Sequence, residues 1–422
     1  MAALTRIRLP FGHGEMPIDV PSSNLVGIFS PQPAVTAGGP QPAEAALVRR
    51  ALRRPIGTAR LRDLAWPGQQ VAIVTSDLTR PCPSHTLLPP VLDELAAAGI
   101  ASSDITIVIA LGLHRPMTPA ELEEAVGPSV YRRVRVINHD PAATVHLGAT
   151  SRGTPVDVFR PVVEADLRVC LGNLEFHYFV GYSGGAKAIV PGCASAATVT
   201  ANHAMMVQPE AATGRLEGNP VRADLEEAAA MVGVDFVLNV IVDGEHRITA
   251  AVAGDVIAAH RAGCELVAQR GLVRIPEAAG IVIASAGGHP KDVNLYQAQK
   301  ALDNAPYALR EGGIIILAAE CLEGCGNRTF ESWMTEARSP EEVLARIQER
   351  FVLGGHKAAA IARVAQHARI MLVAPGVAEL SLVGIEHWPT AQVALDAALQ
   401  ALGPEARITI LPQAASVLPQ VP

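Results

Sequence analysis

VAIVTSDLTRPCPSHTLLPPVLDELAAAGIASSDITIVIALG, residues 71–112, is the stretch that decides the fold class of this chain. It opens with a β-branched apolar run (71–77), continues into an alanine- and leucine-rich helical segment (86–99), and closes with a second apolar run (104–112). Two short buried strands joined through a helix are the repeating unit of α/β proteins, in which neighbouring strands run parallel. The stretch therefore predicts an α/β fold with a mostly parallel sheet.

The same alternation continues toward the carboxyl terminus. A helix predicted over TPAELEEAVG (118–127) has sharp ends, because Thr118 caps it and Glu121 completes a capping box. Pro119 takes the first helical position, and Gly127 ends the helix. Further strands are predicted at 167–172, 235–243, 280–287, 313–320 and 368–375.

A fresh strand–loop–helix unit begins near residue 280, which predicts a domain boundary just before it. We expect an N-terminal α/β domain over residues 1–275 and a C-terminal α/β domain over residues 276–400, with the active site in the cleft between them. The last segment, 401–422, is expected to return to the N-terminal domain.

Composition narrows the classes of function. The chain has 422 residues, of which 49% are hydrophobic and 18% charged, and its net charge is −7. Without a broad basic surface, neither nucleic acid nor an anionic membrane is an expected partner, which leaves small molecules. The amino terminus lacks the apolar core of a signal peptide, so we expect a cytoplasmic protein. The six cysteines are scattered, and free thiols are expected.

Polar side chains follow several of the predicted strands, at the edge where open α/β sheets bind their ligands. The first three strands are followed by Asp77, Thr79 and Arg80, by His114 and Arg115, and by Asn173, Glu175 and His177. Two interpretations remain open for each group. Asp77 and Thr79 can organise a turn or belong to a site, and His114 can be a structural or a catalytic histidine.

The segment NLEFHYFVGYSGGAKAIVPG, residues 173–192, contains Lys187, one of only four lysines in the chain. A glycine-rich turn before a lysine can bind phosphate. No Ser or Thr follows Lys187, however, as the magnesium site of a nucleotide P-loop requires. A kinase or ATPase is therefore disfavoured. No G-x-G-x-x-G opens a helix after a strand, which also disfavours ordinary dinucleotide binding.

A second polar motif lies in DVNLYQAQKALDNA, residues 292–305. Gln297 and Lys300 are three residues apart, so both lie on one face near the start of a predicted helix. A lysine at this place can bind a carboxylate, and the helix amides add positive potential. A solvated polar face is the alternative interpretation.

Taken together, five ordered motifs resemble the nickel-pincer-nucleotide lactate racemase family, over about residues 10 to 410. The motifs are SDLTRPCP, LGLHRPMT, HYFVGYSGGAKAIVPG, ANHAMM and PKDVNLYQAQKALDNA. The resemblance implies that Lys187 carries the cofactor, a nickel-pincer nucleotide, through a covalent link. It also implies that His203 is the protein's nickel ligand, in a square-planar site otherwise formed by the cofactor's sulfur and carbon atoms.

The resemblance assigns the remaining site residues as well. His114 and His177 correspond to the family's paired acid/base histidines. Asp77, Leu78, Thr79 and Arg80 correspond to its loop that holds cofactor and substrate. Gln297 and Lys300 correspond to its substrate-binding helix, and Arg80 is expected to share in binding the substrate.

The implied activity is racemisation or epimerisation of a 2-hydroxy acid, lactate-like, by proton-coupled hydride transfer to and from the cofactor. A base on each face of a flat ketone explains two histidines, since imidazole titrates near neutral pH. Enzymes of cofactor synthesis are then expected as transient partners. Two alternatives remain open: a non-catalytic carrier or sensor of an anionic nucleotide, and a metal-dependent hydrolase built on His177 and His203. The first needs no pair of bases, and the second lacks a local ligand cluster such as H-E-x-x-H.

Overall fold

The computed structural model of the chain describes residues 3–31, 43–243 and 245–422, and it divides into two compact α/β units. We call Ala34–Ala268 the central unit. We call Met1–Pro33 together with Gln269–Pro422 the composite unit, because two distant parts of the chain form it.

The strands are numbered in chain order: β1 (Leu4–Phe11), β2 (Gly14–Pro21), β3 (Leu25–Ile28), β4 (Val71–Ser76), β5 (Ile105–Ala110), β6 (Arg135–Asn138), β7 (Thr144–Ala149), β8 (Pro155–Phe159), β9 (Leu167–Asn173), β10 (Phe176–His177), β11 (Gly181–Tyr182), β12 (Phe236–Val242), β13 (Ile248–Gly254), β14 (Leu272–Arg274), β15 (Ala279–Ser285), β16 (Leu309–Ala318), β17 (Arg369–Val373), β18 (Ile385–His387), β19 (Ile408–Leu411) and β20 (Leu418–Gln420).

The α-helices are α1 (Glu44–Arg53), α2 (Leu61–Leu64), α3 (Ser84–Ala97), α4 (Pro119–Val126), α5 (Pro128–Tyr131), α6 (Arg160–Val163), α7 (Ala196–Ala204), α8 (Pro220–Val232), α9 (Ala258–Gly271), α10 (Leu295–Asn304), α11 (Arg328–Glu336), α12 (Pro340–Glu349), α13 (Gly355–Ala365) and α14 (Ala391–Leu402). None of the helices described here is both long and apolar enough to cross a membrane.

The central unit is organised around a six-stranded sheet with the order β13-β12-β9-β4-β5-β6. Its strands are parallel except β13, which pairs antiparallel with β12. Residues 71–75 are buried on both faces of the sheet, which is why the run is continuously apolar and not alternating. Helices α1 and α3 cover this sheet and share its hydrophobic core.

The composite unit contains a second six-stranded sheet, wholly parallel, with the order β18-β17-β16-β15-β19-β3. Its core joins the apolar faces of β15, β16 and β17 to helix α14 and to the antiparallel hairpin β1–β2. The two α/β units, with mostly parallel sheets, confirm the predicted fold class.

The domain limits differ from the prediction at both termini. Hairpin residues Leu9 and Ile18 lie in the same core as Ile283 and Ile410, so the first thirty or so residues do not belong to a domain 1–275. The segment 401–422 does not return to the central unit either, since β19 lies between β15 and β3. Both differences have the same cause. A strand joins the sheet in which it can bury its apolar face and pair its backbone, even when the neighbouring strands are far away in the sequence.

Local predictions are confirmed in detail. All seven predicted strands are present, and each end lies within four residues of its predicted place. Thr118 accepts a hydrogen bond from the amide of Glu121, whose carboxylate accepts one from the amide of Thr118. Gly127 has a positive φ of 85° just after the helix. All six cysteines are free thiols, as expected.

Candidate active site

The strand order of the central sheet identifies its ligand-binding edge. Strands β4, β5 and β6 follow one another toward one edge of the sheet. Strands β9 and β12 lie on the other side of β4, so the direction in which successive strands are added reverses between β4 and β9. Open α/β sheets bind ligands beyond the carboxyl ends of the strands at such a point. Asp77 follows β4 directly, and His177 lies on β10, shortly after β9.

Asp77 and His114 form the best-defined contact at this edge. Nδ1 of His114 lies 2.6 Å from Oδ2 of Asp77, and the hydroxyl and amide of Thr79 donate to Oδ1 at 2.6 and 3.1 Å. Both carboxylate oxygens are therefore occupied by groups on the protein. The Asp77 side chain is only 5% exposed and that of His114 is 28% exposed, so the imidazole lies between a buried anion and solvent.

The charge on Asp77 is retained despite its burial. Burial alone would raise the pKa of this carboxyl group. Hydrogen bonds from His114 and Thr79, with the nearby charge of Arg80, outweigh burial and hold its pKa below the ordinary value. A buried carboxylate that stays ionised keeps a proton on Nδ1, the ring nitrogen facing it, so Nε2 is the nitrogen of His114 at which a proton can be exchanged.

Lys187 is presented by a turn with an unusual backbone. Gly184 and Gly185 have φ values of +72° and +59°, in the left-handed region that favours glycine. A Cβ at Gly185 would lie 2.7 Å from Cδ2 of His260, and one at Gly184 would lie 3.1 Å from Oδ1 of Asn239. Both glycines are thus required by backbone conformation and by close packing.

Two buried side chains hold the same turn by hydrogen bonds. Oδ1 of Asn239 accepts from the amide of Gly185 at 3.0 Å, and Nε2 of His260 lies 2.9 Å from the carbonyl oxygen of Ser183. Burial lowers the pKa of His260 well below its ordinary value, so this imidazole is neutral and donates to that carbonyl. The Lys187 side chain itself is half-buried.

His203 lies on α7 and is 8% exposed. Burial first, then the positive charges of Lys187 and Arg80, lower the pKa of His203 to about 3. The ring is therefore neutral at physiological pH, the state in which imidazole binds a metal.

An aromatic side chain links His177 to His203. The ring of Phe179 packs edge-on against both imidazoles, with centroid distances of 4.6 Å to His177 and 5.0 Å to His203. Nδ1 of His177 accepts a long hydrogen bond, 3.4 Å, from the amide of Val180. The ring of Tyr178 stacks on His177 at 5.1 Å.

Backbone contacts connect the His114 loop to the Lys187 segment. The amide of Gly112 donates to the carbonyl oxygen of Gly192 at 2.9 Å, and Gly192 follows Lys187 after one short turn. The central unit thus gathers most of the predicted site residues at one edge of its sheet. They are Asp77, Leu78, Thr79, Arg80, His114, His177, Lys187 and His203.

Gln297 and Lys300 belong to the composite unit, where both are half-buried on helix α10. Asn294 caps this helix by accepting from the amide of Gln297. Gln299 makes two hydrogen bonds on the opposite face of the helix. Its Oε1 accepts from Nζ of Lys357 at 2.7 Å, and its Nε2 donates to Oδ1 of Asp303 at 2.6 Å. This network fixes the rotation of the helix about its axis and hence the face that carries Gln297 and Lys300.

Sequence reasoning missed several residues that shape the site. Asn239, His260, Phe179 and Asn202 were not singled out, although each contacts a predicted site residue or its turn. One signal was visible: Asn239 is the only polar residue inside the apolar run FVLNVIV (236–242), where an uncompensated amide is costly. The contacts of the other three depend on the fold.

The protein's own donors do not form a metal centre. In the described ranges there is no group of three or more His, Cys, Asp or Glu side chains placed to hold a metal ion. A hydrolytic metal site needs about three protein ligands. The hydrolase built on His177 and His203 therefore finds no support among these residues.

The central unit is therefore an α/β domain with two histidines and a lysine-bearing glycine turn at the ligand-binding edge of its sheet, and sequence comparison identifies the family. Residues 11–214 match the family model described as the lactate racemase N-terminal domain, and residues 275–419 match the lactate racemase C-terminal domain. The chain therefore belongs to the lactate racemase family, and it is an isomerase.

Individual relatives agree with this assignment. A lactate racemase from Thermoanaerobacterium thermosaccharolyticum is 38% identical over 354 residues, which cover 82% of each chain. A lactate racemase from Lactiplantibacillus plantarum is 30% identical over 427 aligned positions, covering 98% of this chain and 100% of the relative. The solved structure of the lactate racemase apoprotein from T. thermosaccharolyticum superposes with a TM-score of 0.89 at 33% identity, covering 99% of this chain and 100% of that one.

Proposed function

We propose that this protein racemises or epimerises a 2-hydroxy acid such as lactate, using a nickel-pincer nucleotide attached to Lys187. The observation that carries the proposal is the pair of histidines at one sheet edge, one of them held by a buried carboxylate. Mere binding of a nucleotide needs no proton acceptor and donor, so the pair favours catalysis over a carrier or sensor.

The residues present fit the proposed cofactor. Such a group brings most of its own metal donors, so the protein need supply one amine for the covalent link and one neutral imidazole. Lys187 and His203 are these two groups, and the absence of a three-ligand cluster among the described residues agrees with this division. Exposed Leu78 offers an apolar surface beside the site that suits a flat ring. When bound, the group would supply the two-electron chemistry at the substrate α-carbon that side chains lack.

The two histidines start in complementary states. Nδ1 of His114 faces a carboxylate, so its Nε2 is the proton acceptor for the substrate hydroxyl. His177 would act as the partner acid in its imidazolium form, which becomes a neutral ring when it gives up its proton. One ring removes the proton of the substrate hydroxyl group. The other ring protonates the alkoxide oxygen of the product with the opposite configuration, and the two rings exchange roles in the reverse reaction.

Asp77 acts through His114 in this proposal. Its ionised carboxylate orients the ring and stabilises the imidazolium that forms when His114 accepts a proton. Arg80 and Lys300 would bind the substrate carboxylate and carbonyl oxygens, and Gln297 would orient one of those oxygens.

The central test is the intact mass and nickel content of protein produced together with the cofactor-synthesis enzymes. We expect a covalent mass addition and about one nickel per chain, both absent in Lys187→Ala. Lys291→Ala serves as a matched control and should retain both. A mass addition that persists in Lys187→Ala, or unmodified wild-type protein, would rule out the proposed attachment.

A further inference from the structure

We propose that Asn202, oriented by the buried carboxylate of Asp224, fixes the ring of His203 in the tautomer whose proton is on Nδ1 and whose lone pair is on Nε2. Asn202 is then a positioning residue for the metal-binding histidine. The inference rests on the proposed nickel-binding role of His203, but the tautomer itself can be measured without nickel.

A chain of hydrogen bonds runs through four side chains on two helices and the turn after β7. Oδ1 of Asn202 lies 3.0 Å from Nδ1 of His203, its neighbour on α7. Nδ2 of Asn202 lies 2.8 Å from Oδ2 of Asp224 on α8. The hydroxyl of Thr150, which follows β7, donates to Oδ1 of the same carboxylate at 2.5 Å.

The partners of Asn202 determine which way its amide points. On one side it faces the Asp224 carboxylate and the carbonyl oxygen of Val221, the latter at 3.2 Å. Both are hydrogen-bond acceptors, so the amide must present its NH2 group to them. Its oxygen therefore faces His203, and the nitrogen that lies against an oxygen must be the one that carries the proton.

Burial makes this arrangement costly to break. Asn202 and Asp224 are fully buried, Thr150 is 5% exposed, and both carboxylate oxygens of Asp224 have protein partners. Turning the amide over would place its oxygen against two acceptors and its NH2 against a protonated nitrogen, out of reach of bulk water. The network therefore specifies one tautomer.

The consequence is selection of the metal-binding nitrogen. A metal binds the ring nitrogen that carries the lone pair, and the hydrogen bond on the other nitrogen decides which one that is. Loss of such a partner typically weakens metal binding by about 10- to 100-fold. Asn202 should have an effect of this size on nickel retention although it contributes no metal ligand.

The first test is on apoprotein labelled with ¹⁵N in its histidines, by long-range ¹H–¹⁵N correlation, with the His203 signals assigned from their loss in His203→Gln. Wild-type His203 should show the Nδ1–H tautomer. Asn202→Leu should abolish that preference. Thr150→Val is the matched control: it removes a hydrogen bond from the same buried network but leaves His203 with its partner, so its tautomer should not change.

The second readout is nickel retained by holoprotein against a competing chelator. Asn202→Leu should keep the mass addition at Lys187 but hold nickel about 10- to 100-fold less tightly, whereas Thr150→Val should hold it like wild type. An Nε2–H tautomer in the wild type, or nickel loss in His203→Gln without loss in Asn202→Leu, would overturn the inference. Unchanged nickel in both variants would instead overturn the proposed role of His203, while the tautomer result would stand.

Discussion

Asp77 shows at the residue scale how a buried charge can set the chemistry of its neighbour. The carboxylate lies 2.6 Å from Nδ1 of His114 and keeps its pKa below the ordinary value in spite of its burial. The sequence motif implied contact with the cofactor, and that role stays a prediction. The hydrogen bond adds a second role, in which Asp77 decides which nitrogen of His114 accepts protons.

Replacing Asp77 by Asn tests that role. The amide can turn its NH2 group toward Nδ1 of His114, which would move the proton to Nε2 and remove the base. We expect kcat to fall by about 10²- to 10⁴-fold, the usual contribution of general base catalysis, with the mass addition at Lys187 retained. Steady-state racemisation kinetics and intact mass measure both. A variant with near-normal kcat would show that the tautomer of His114 is not controlled by Asp77.

The two lysines near α10 allow a matched comparison. Nζ of Lys291 donates to the hydroxyl of Ser416 at 2.8 Å, a contact within the composite unit, whereas Lys300 lies on the helix face proposed to bind substrate. Lys300→Ala should lower kcat/KM by at least about tenfold, because a charged hydrogen bond to the substrate is worth about 1.5–3 kcal/mol. Lys291→Ala should have a smaller effect. Equal losses in the two variants would mean that the wrong lysine has been assigned.

At the element scale, the turn that carries Lys187 depends on contacts from two other elements. Asn239 in β12 and His260 in α9 lie against Gly184 and Gly185, and both make hydrogen bonds to the turn. The position of the lysine therefore results from packing between a strand, a helix and a turn.

Gly185→Ala tests this dependence. Its Cβ would lie 2.7 Å from His260 at a φ of +59°, so the turn must shift. Gly153→Ala is the matched control in the same unit, since its φ is +82° but no atom lies within 4 Å of the added carbon. Both variants should lose about 1–3 kcal/mol of stability from backbone strain, but only Gly185→Ala should lose cofactor attachment. Intact mass and denaturant unfolding separate the two effects, and equal attachment in both variants would contradict the argument.

At the scale of the whole molecule, the chain's first strands complete a unit formed mainly by its last 150 or so residues. Strand β3 pairs with β19, and the hairpin β1–β2 packs its apolar face against β15 and β16. The central unit is inserted between these two parts of the composite unit in the order of the chain.

Leu9→Ala should therefore destabilise the composite unit. Leu9 is fully buried in that unit's core, and such a truncation costs about 2–5 kcal/mol. Leu4→Ala, on the same strand but 62% exposed, is the control and should cost little. Hydrogen exchange in Leu9→Ala should rise in β15 and β16 more than in β4 and β5. A larger rise in β4 and β5 would mean that the hairpin belongs to the central unit.

Many structural features of this protein can be predicted from short segments of its sequence. The strands from β4 to β17 that the apolar runs predict, the capping box of α4 and the glycine pair before Lys187 all depend on neighbours within a few residues. Periodicity, capping and backbone preference act at that range, which is why these features could be predicted. The ordered motifs led to the family for the same reason.

The tertiary structure alone decided which distant residues meet. Asp77 and His114 are 37 positions apart, Gly185 and Asn239 are 54 apart, and the residues of the β3–β19 pair are some 380 apart. No local pattern encodes such contacts, because they form only when the whole core has packed and every buried polar group has found a partner. The sequence was therefore enough to single out the lysine and the histidines proposed for the site, whereas the residues that form hydrogen bonds around them were decided by the fold.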